Sequence, residues 1–329
     1  MPSPSLSAAA ERLAVLLSAG AGGAGVVADP DGADLALEPV IVPRPLARRP
    51  TPAEVWAVDG GQALVADARC VQVLVTRAAR AKFQGGECVL EDDGDGDLRT
   101  WLVGGGEERV AALSLCLGVA PDVAVDVNLL RDHGEWSLLA RCIEEAGSGA
   151  LVLRDGALRP DWRIPVGQAA DVLARAAERG VTVASVTKHS SLSRGGAPLL
   201  GQLEIEAAAV LGPRSMWWAP VGRMKASLGL DVAVFAARLD PDARFSFRVD
   251  IAGGANPEAV LGALSALCDD AAFPGYPYAL SVADRLAACP SWLRHDVRLD
   301  LDDRLDLAGV PLEVRERAFT DRHALMERA

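Results

Sequence analysis

No apolar run in this chain reaches the roughly 18 residues of a membrane span, so no transmembrane segment is expected. The opening MPSPSLSAAAERL has neither a basic n-region nor a long apolar h-region, which argues against a signal peptide and for a cytoplasmic protein. The six cysteines (Cys70, Cys88, Cys116, Cys142, Cys268, Cys289) form no CxxC pair, and none lies near a histidine at zinc spacing. They read as buried thiols in a reducing compartment. There is no GxxxxGK[ST] phosphate loop, which excludes a P-loop motor, and no GxSxG nucleophile elbow. Lysine is scarce against abundant arginine, which bears on base composition of the gene rather than on function. Positive charge is also short overall. The net charge is −12, so the chain as a whole gains little from phosphate attraction.

Half of the 329 residues are hydrophobic, ample for a large α/β core. Residues 1–50 read as an N-terminal helix, Ser7 to Ala19, followed by a flexible Gly/Pro-rich arm. Gly20, Gly22 and Gly25 formally match GxGxxG. A helix precedes them and a Pro/Asp/Gly loop follows, the reverse of the strand-then-helix setting that a dinucleotide site needs. The body, residues 51–329, ends in a charged helical segment from Val310 onward. It opens with three short strand candidates, VWAVDGG, ALVADA and VQVLVTRAA, as an antiparallel meander. EDDGDGD (Glu91 to Asp97) lacks the DxDxDG order of a calcium loop and reads as a solvated hairpin tip. GEERVAALSLCLG and GEWSLLARCIEEAG have helical patterns. Residues 150–187 read as a β-α-β unit, ALVLRDG, IPVGQAADVLARAAERG and VTVASVTK. VAVFAARL and FSFRVDI are late strands. Asn256 and Pro257 cap a helix, and PGYPYALSVADRLA is a turn into another. Trp217 and Trp218 in SMWWAP are expected in the core or at a subunit interface rather than as a stacking platform.

Asp59 in AVDGG and Asp155 in LVLRDGAL each end an apolar strand and precede glycine. There a carboxylate projects from a rigid sheet into the crevice where α/β proteins bind ligands, and the glycine admits a close neighbour. Asp-Gly is equally good turn chemistry. Glu135 lies at the start of the helix before the Asp155 strand, where the dipole alone would favour it. Lys188 follows the next strand and Tyr276 sits in the GYP turn. Each has an ordinary alternative, a surface lysine and a turn aromatic packed on the core. His133 and His189 lie close in sequence to Glu135 and Lys188 and are assigned no role.

The order AVDGG, an isolated Glu, LVLRDGAL, VTKHSSL, FRVDI and a GYP turn into a helix resembles the NurA family of DNA-repair nucleases, from about Val55 to about Leu286. The resemblance implies an α/β fold, a ribonuclease H-like mixed sheet flanked by helices. It implies a metal-dependent deoxyribonuclease, a 5′–3′ exonuclease and single-strand endonuclease, acting on single strands or duplex ends in DNA end resection. It further implies a homodimer, a HerA-type hexameric ATPase as partner, and Mn²⁺ or Mg²⁺ as cofactor, with two ions at the site. Carried over, Asp59, Glu135 and Asp155 match the family's acidic metal ligands, Tyr276 its GYP tyrosine and Lys188 its strand-end lysine. The family's last metal-site residue is a histidine, and here that position holds Asp284. Either Asp284 replaces it as ligand or the site is weakened. Two other classes stay open. One is a decayed, non-catalytic subunit that assembles with the ATPase. The other is an actin-like sugar kinase, for which a second Gly-rich phosphate strand and an adenosine motif are missing.

Overall fold

The computed structural model describes residues 6–18, 27–28, 35–92, 98–224, 229–320 and 326. The GxGxxG glycines and the tip of the EDDGDGD turn lie outside the described residues. In chain order the elements are α1 (Leu6–Ser18), β1 (Val27–Ala28), β2 (Leu35–Leu37), β3 (Arg44–Pro45), β4 (Glu54–Asp67), β5 (Val71–Gln84), β6 (Glu87–Asp92) and β7 (Arg99–Gly104). Then come α2 (Glu107–Leu117), α3 (Val127–Glu145), β8 (Leu151–Asp155), α4 (Val166–Glu178), β9 (Thr182–Thr187), β10 (Ser193–Arg194), β11 (Ala197–Pro198) and α5 (Leu199–Leu211). The chain closes with β12 (Trp217–Met224), β13 (Val232–Arg238), β14 (Phe247–Ala252), α6 (Pro257–Ser265), α7 (Tyr278–Ala287), α8 (Ser291–Leu307) and α9 (Leu312–Phe319).

An 11-stranded mixed sheet runs β2-β12-β13-β14-β9-β8-β4-β5-β6, with β3 also on β12 and β7 also on β5. Its centre is parallel: β8 lies between β4 and β9, parallel to both. Strands covered on both faces read as continuous apolar runs, and LVLRD is buried until its last residue. The expected β-α-β unit is β8, α4 and β9.

Alternation along the strands divides the core between the two faces. Trp56, Val58, Val152 and Val183 pack with α3, α4 and α5. Val55, Ala57, Leu151, Leu153 and Val186 pack with α6 and α7. A smaller cluster, Val65, Ala66, Val73 and Val75, lies under Val297, Leu301 and Phe319 of the C-terminal helices. The fold is therefore the mixed sheet flanked by helices that the sequence led us to expect.

Several local expectations change. VWAVDGG and ALVADA are one strand, β4. Asp59, Gly60 and Gly61 keep their pairing with Ala79, Ala78 and Arg77 of β5, and the register slips only between Leu64 and Ala66. Asp59 thus lies within a strand rather than at its end. Glu135 is not in a first turn either: α3 starts eight residues earlier, at Val127, where the Asp126 side chain accepts the Leu129 N–H. β6 and β7 pair with separate stretches of β5 rather than with each other. Only Cys142 and Cys268 are buried; Cys70, Cys88 and Cys116 are exposed free thiols. Trp217 and Trp218 are buried, as expected of core residues. Asn256 accepts the Ala259 N–H with Pro257 behind it, as the cap signal implied. Among the described residues no helix is long and apolar enough to cross a membrane.

Candidate active site

The site lies where β8 ends and β4 continues. Val58 pairs with Arg154, so Asp59 and Asp155 stand side by side on adjacent parallel strands. They share strand parity with Val55, Ala57, Leu151 and Leu153, the residues facing α6 and α7. Helix α7 crosses that face and adds Asp284. One carboxylate oxygen from each of Asp59, Asp155 and Asp284 falls within 4.8 Å of the other two.

Lys188, one residue beyond β9, closes the group. Its Nζ lies 2.7 Å from Asp155 Oδ2 and 2.6 Å from Asp284 Oδ1, and 5.1 Å from the centroid of the Tyr276 ring. Tyr276 is buried against Phe247 and Phe273, with its hydroxyl close to Asp155. Tyr276 thus packs on the core, as a turn aromatic does, and its ring also lies beside Lys188 of the carboxylate group.

Burial, then the charges of Asp155 and Glu135, push the Asp59 carboxyl up to about 9, against the pull of the Gly60 N–H and Lys188. Burial alone would lower the Lys188 ammonium, but hydrogen bonds to Asp155 and then Asp284 outweigh it and hold it above the usual lysine range. Burial followed by Asp155 and Asp59 raises the Tyr276 phenol, which stays protonated.

Gly60 and Gly61 are needed for contact. A Cβ at Gly60 would meet Glu135 Oε1 at 2.4 Å, and one at Gly61 would meet the Ala287 carbonyl oxygen at 1.8 Å. They let α3 and α7 close on β4 from opposite sides.

Glu135 is not among the three clustered carboxylates. It comes from α3, on the other face, and its Oε2 accepts from Arg154 Nη2 at 2.6 Å while Oε1 lies 3.3 Å from Arg131 Nε. Arg154 also donates to Asp132 and to the Ala157 carbonyl. Sequence reasoning overlooked this buried Arg154–Asp132–Glu135 group. Its signal was an arginine inside the otherwise apolar run LVLRD, since a buried charge demands partners. Burial raises the Glu135 carboxyl and Arg154 opposes that, with the balance upward. Asp250 of FRVDI was also missed as an anchor: fully buried, it accepts from Arg248 and from the Leu158 N–H.

A divalent cation fits the donor set. The three clustered groups are hard oxygen ligands suited to Mg²⁺ or Mn²⁺, and a carboxyl held protonated by burial and then by its like-charged neighbours is one that a cation would relieve.

The mixed central sheet flanked by helices, with carboxylates from β4, β8 and α7 converging beside the end of β8, defines an α/β protein with an acidic site. The sequence matches no family model and no curated protein. Among solved structures, the NurA nuclease from Sulfolobus solfataricus is similar at a TM-score of 0.56 and 16% identity, over 81% of this chain and 88% of that one. A second NurA structure gives 0.51 and 8%, over 84% and 92%. The chain thus has the fold of NurA, in agreement with the resemblance read from its motifs.

Proposed function

We propose that this chain is a NurA-type deoxyribonuclease that hydrolyses phosphodiester bonds with Mg²⁺ or Mn²⁺. The observation that carries this reading is the convergence of Asp59, Asp155 and Asp284, from β4, β8 and α7, beside Lys188 and Tyr276. The NurA fold supports it. Asp59, Asp155 and Asp284 would hold the metal, which when bound supplies an activated water and charge stabilisation at the phosphate. Lys188 is held in place by the carboxylates and can turn its ammonium to a phosphate oxygen, where it offsets developing negative charge. The Tyr276 hydroxyl can donate to Asp155 or to a phosphate oxygen and so orient it. Glu135 and Arg154 pack behind Gly60 on the α3 side of the strand that carries Asp59.

The same reading gives residues 51–329 as the nuclease body and residues 1–50 as an arm. It gives single strands or duplex ends as substrate, 5′–3′ exonuclease and single-strand endonuclease activity in end resection, a homodimer, and a HerA-type hexameric ATPase as partner. A motor ring would supply the translocation and basic channel that a −12 chain lacks. A second reading, a non-catalytic subunit, takes support from Lys188, which gives the carboxylates a cation of their own. One assay separates them. Purified protein is incubated with labelled linear and single-stranded DNA in Mg²⁺, Mn²⁺ or EDTA, with and without the ATPase. Metal-dependent cleavage lost in Asp59→Ala and Asp155→Ala supports the nuclease; no cleavage under any condition leaves the non-catalytic subunit.

A further inference from the structure

The resemblance implies two metal ions, and a pair about 3.5–4 Å apart needs carboxylates enough for both. The sequence offered four: Asp59, Glu135, Asp155 and Asp284. Among the described residues only Asp59, Asp155 and Asp284 converge. Glu135 is engaged on the other face of the sheet, where Oε2 accepts from Arg154 at 2.6 Å and Oε1 lies 3.3 Å from Arg131.

The three that converge are not equally open. Lys188 Nζ lies 2.7 Å from Asp155 Oδ2 and 2.6 Å from Asp284 Oδ1, so its ammonium bridges these two. Asp59 makes no ion pair among the described residues, and its Oδ1 accepts the Gly60 N–H at 2.6 Å. A cation is thus already seated between two of the carboxylates, and the third has none.

Lys188 is brought there by the register of the sheet. Asp155 of β8 pairs with Val186 of β9, and the Gly156 N–H donates to the Val186 carbonyl at 3.0 Å. Lys188 is two residues past Val186 and so shares its face, the one covered by α7. On that face the Tyr276 ring lies 5.1 Å from Nζ and adds a cation–π contact. Partners from β8, α7 and the GYP turn therefore hold one ammonium in place.

Two adjacent divalent ions must share a bridging ligand, and Asp155 is the carboxylate that neighbours both Asp59 and Lys188. The ammonium engages one oxygen of Asp155 and one of Asp284, where a second ion sharing Asp155 would have to sit. Charge points the same way. One ammonium and one divalent ion balance three carboxylates, whereas a second divalent ion would set like charges against Lys188.

We propose that this chain takes a single divalent cation, at Asp59 and Asp155 with Asp284 in reach, and that the Lys188 ammonium holds the place of a second ion. The inference rests on the nuclease reading and deepens it. An ammonium offsets charge on a phosphate as an ion does, but it has no open coordination position for a water. Lys188 thus supplies the charge of a second ion without its ligand chemistry.

The test is Mn²⁺ binding by the full chain, without DNA and at physiological salt. Calorimetric titration counts the ions and electron paramagnetic resonance reads their coupling. Asp155→Asn is the blank for ions held elsewhere on an acidic surface. The wild type should bind one ion more than the blank, with the hyperfine pattern of an isolated Mn²⁺. Lys188→Met should bind two more, with the broadened spectrum of a coupled pair, and Lys188→Arg should return to one. Urea midpoints in EDTA check that the variants are folded; should Lys188→Met not fold, the wild-type count and spectrum still decide. A coupled pair in the wild type, one isolated ion in folded Lys188→Met, or a wild-type count no higher than the blank would each overturn the proposal. DNA cleavage by the wild type, assayed separately, keeps the two readings apart. Cleavage with a coupled pair removes the single-ion site and leaves the nuclease; an isolated ion without cleavage leaves the site and removes the nuclease.

Discussion

Asp59→Asn should make the metal-free protein more stable, and increasingly so as pH rises. Asp59 is buried beside Asp155 and Glu135, and its carboxyl is pushed from 3.8 to about 9. The folded state therefore keeps a proton that the unfolded chain gives up above its ordinary carboxyl value. Below pH 3.8 both states are protonated and the residue costs nothing. From there to about pH 9 the unfolded state binds one proton fewer, so folding loses about 1.4 kcal/mol per pH unit, and above pH 9 the loss levels off. At pH 7 that amounts to about 4 kcal/mol, an upper figure because Lys188 and the neighbouring carboxylates can readjust. Asparagine keeps the shape and can still accept the Gly60 N–H, which lies 2.6 Å from Asp59 Oδ1, so little else changes. Urea unfolding of both proteins in EDTA from pH 5 to pH 9 measures the gap. It should widen with pH, then narrow on adding Mg²⁺ or Mn²⁺, since a ligand at a hundred times its Kd stabilises only the protein that binds it, by about 2.7 kcal/mol. A gap independent of pH in EDTA would refute the assignment of Asp59 as the strained carboxyl of the site.

Arg154→Ala should cost about 3–5 kcal/mol in urea unfolding because it leaves Asp132 and Glu135 buried without their cation, whereas Arg154→Ala combined with Glu135→Gln should recover part of it. The isolated chain should bind DNA weakly at physiological salt and gain affinity with the ATPase; tight, salt-sensitive binding by the chain alone, seen in a filter or anisotropy assay, would contradict the argument from its −12 charge. Asp284→Asn should lower activity and raise the metal concentration needed to restore it, and Asp284→His should shift the preference toward Mn²⁺; metal titrations identical to wild type would make Asp284 a bystander.

What the sequence disclosed were features that local chemistry decides. The apolar run LVLRD had to be a covered strand, and its final Asp had to emerge at the tip. The Asn256-Pro257 cap and the helix after GYP follow equally from short-range rules. What escaped was set by partners distant in sequence. Gly60-Gly61 looked like a strand end because glycine favours turns, yet β5 supplies partners for both, Ala78 and Arg77, and carries β4 through. Glu135 looked like a first-turn residue because nothing near it marks the Asp126 cap eight residues before the motif that drew attention to it. The Asp250 link to the Leu158 N–H joins residues 92 apart, beyond the reach of any spacing rule.

The alternation of a β-strand explains why one strand tip can serve two purposes. Arg154 and Asp155 are neighbours, so their side chains leave β8 on opposite faces. Asp155 joins Asp59, Asp284 and Lys188 under α7. Arg154 joins Asp132 and Glu135 under α3 and, through the Ala157 carbonyl and the Asp132–Asp161 bond, fixes the loop between β8 and α4. A one-residue slip of β8 would exchange the two sets, burying Asp155 against α3 beside two carboxylates and turning Arg154 toward Lys188. Both arrangements place like charges together, so the register that builds the carboxylate group is also the one the buried arginine enforces. The separation of roles follows: residues on the α7 face should govern metal dependence, and residues on the α3 face should govern stability.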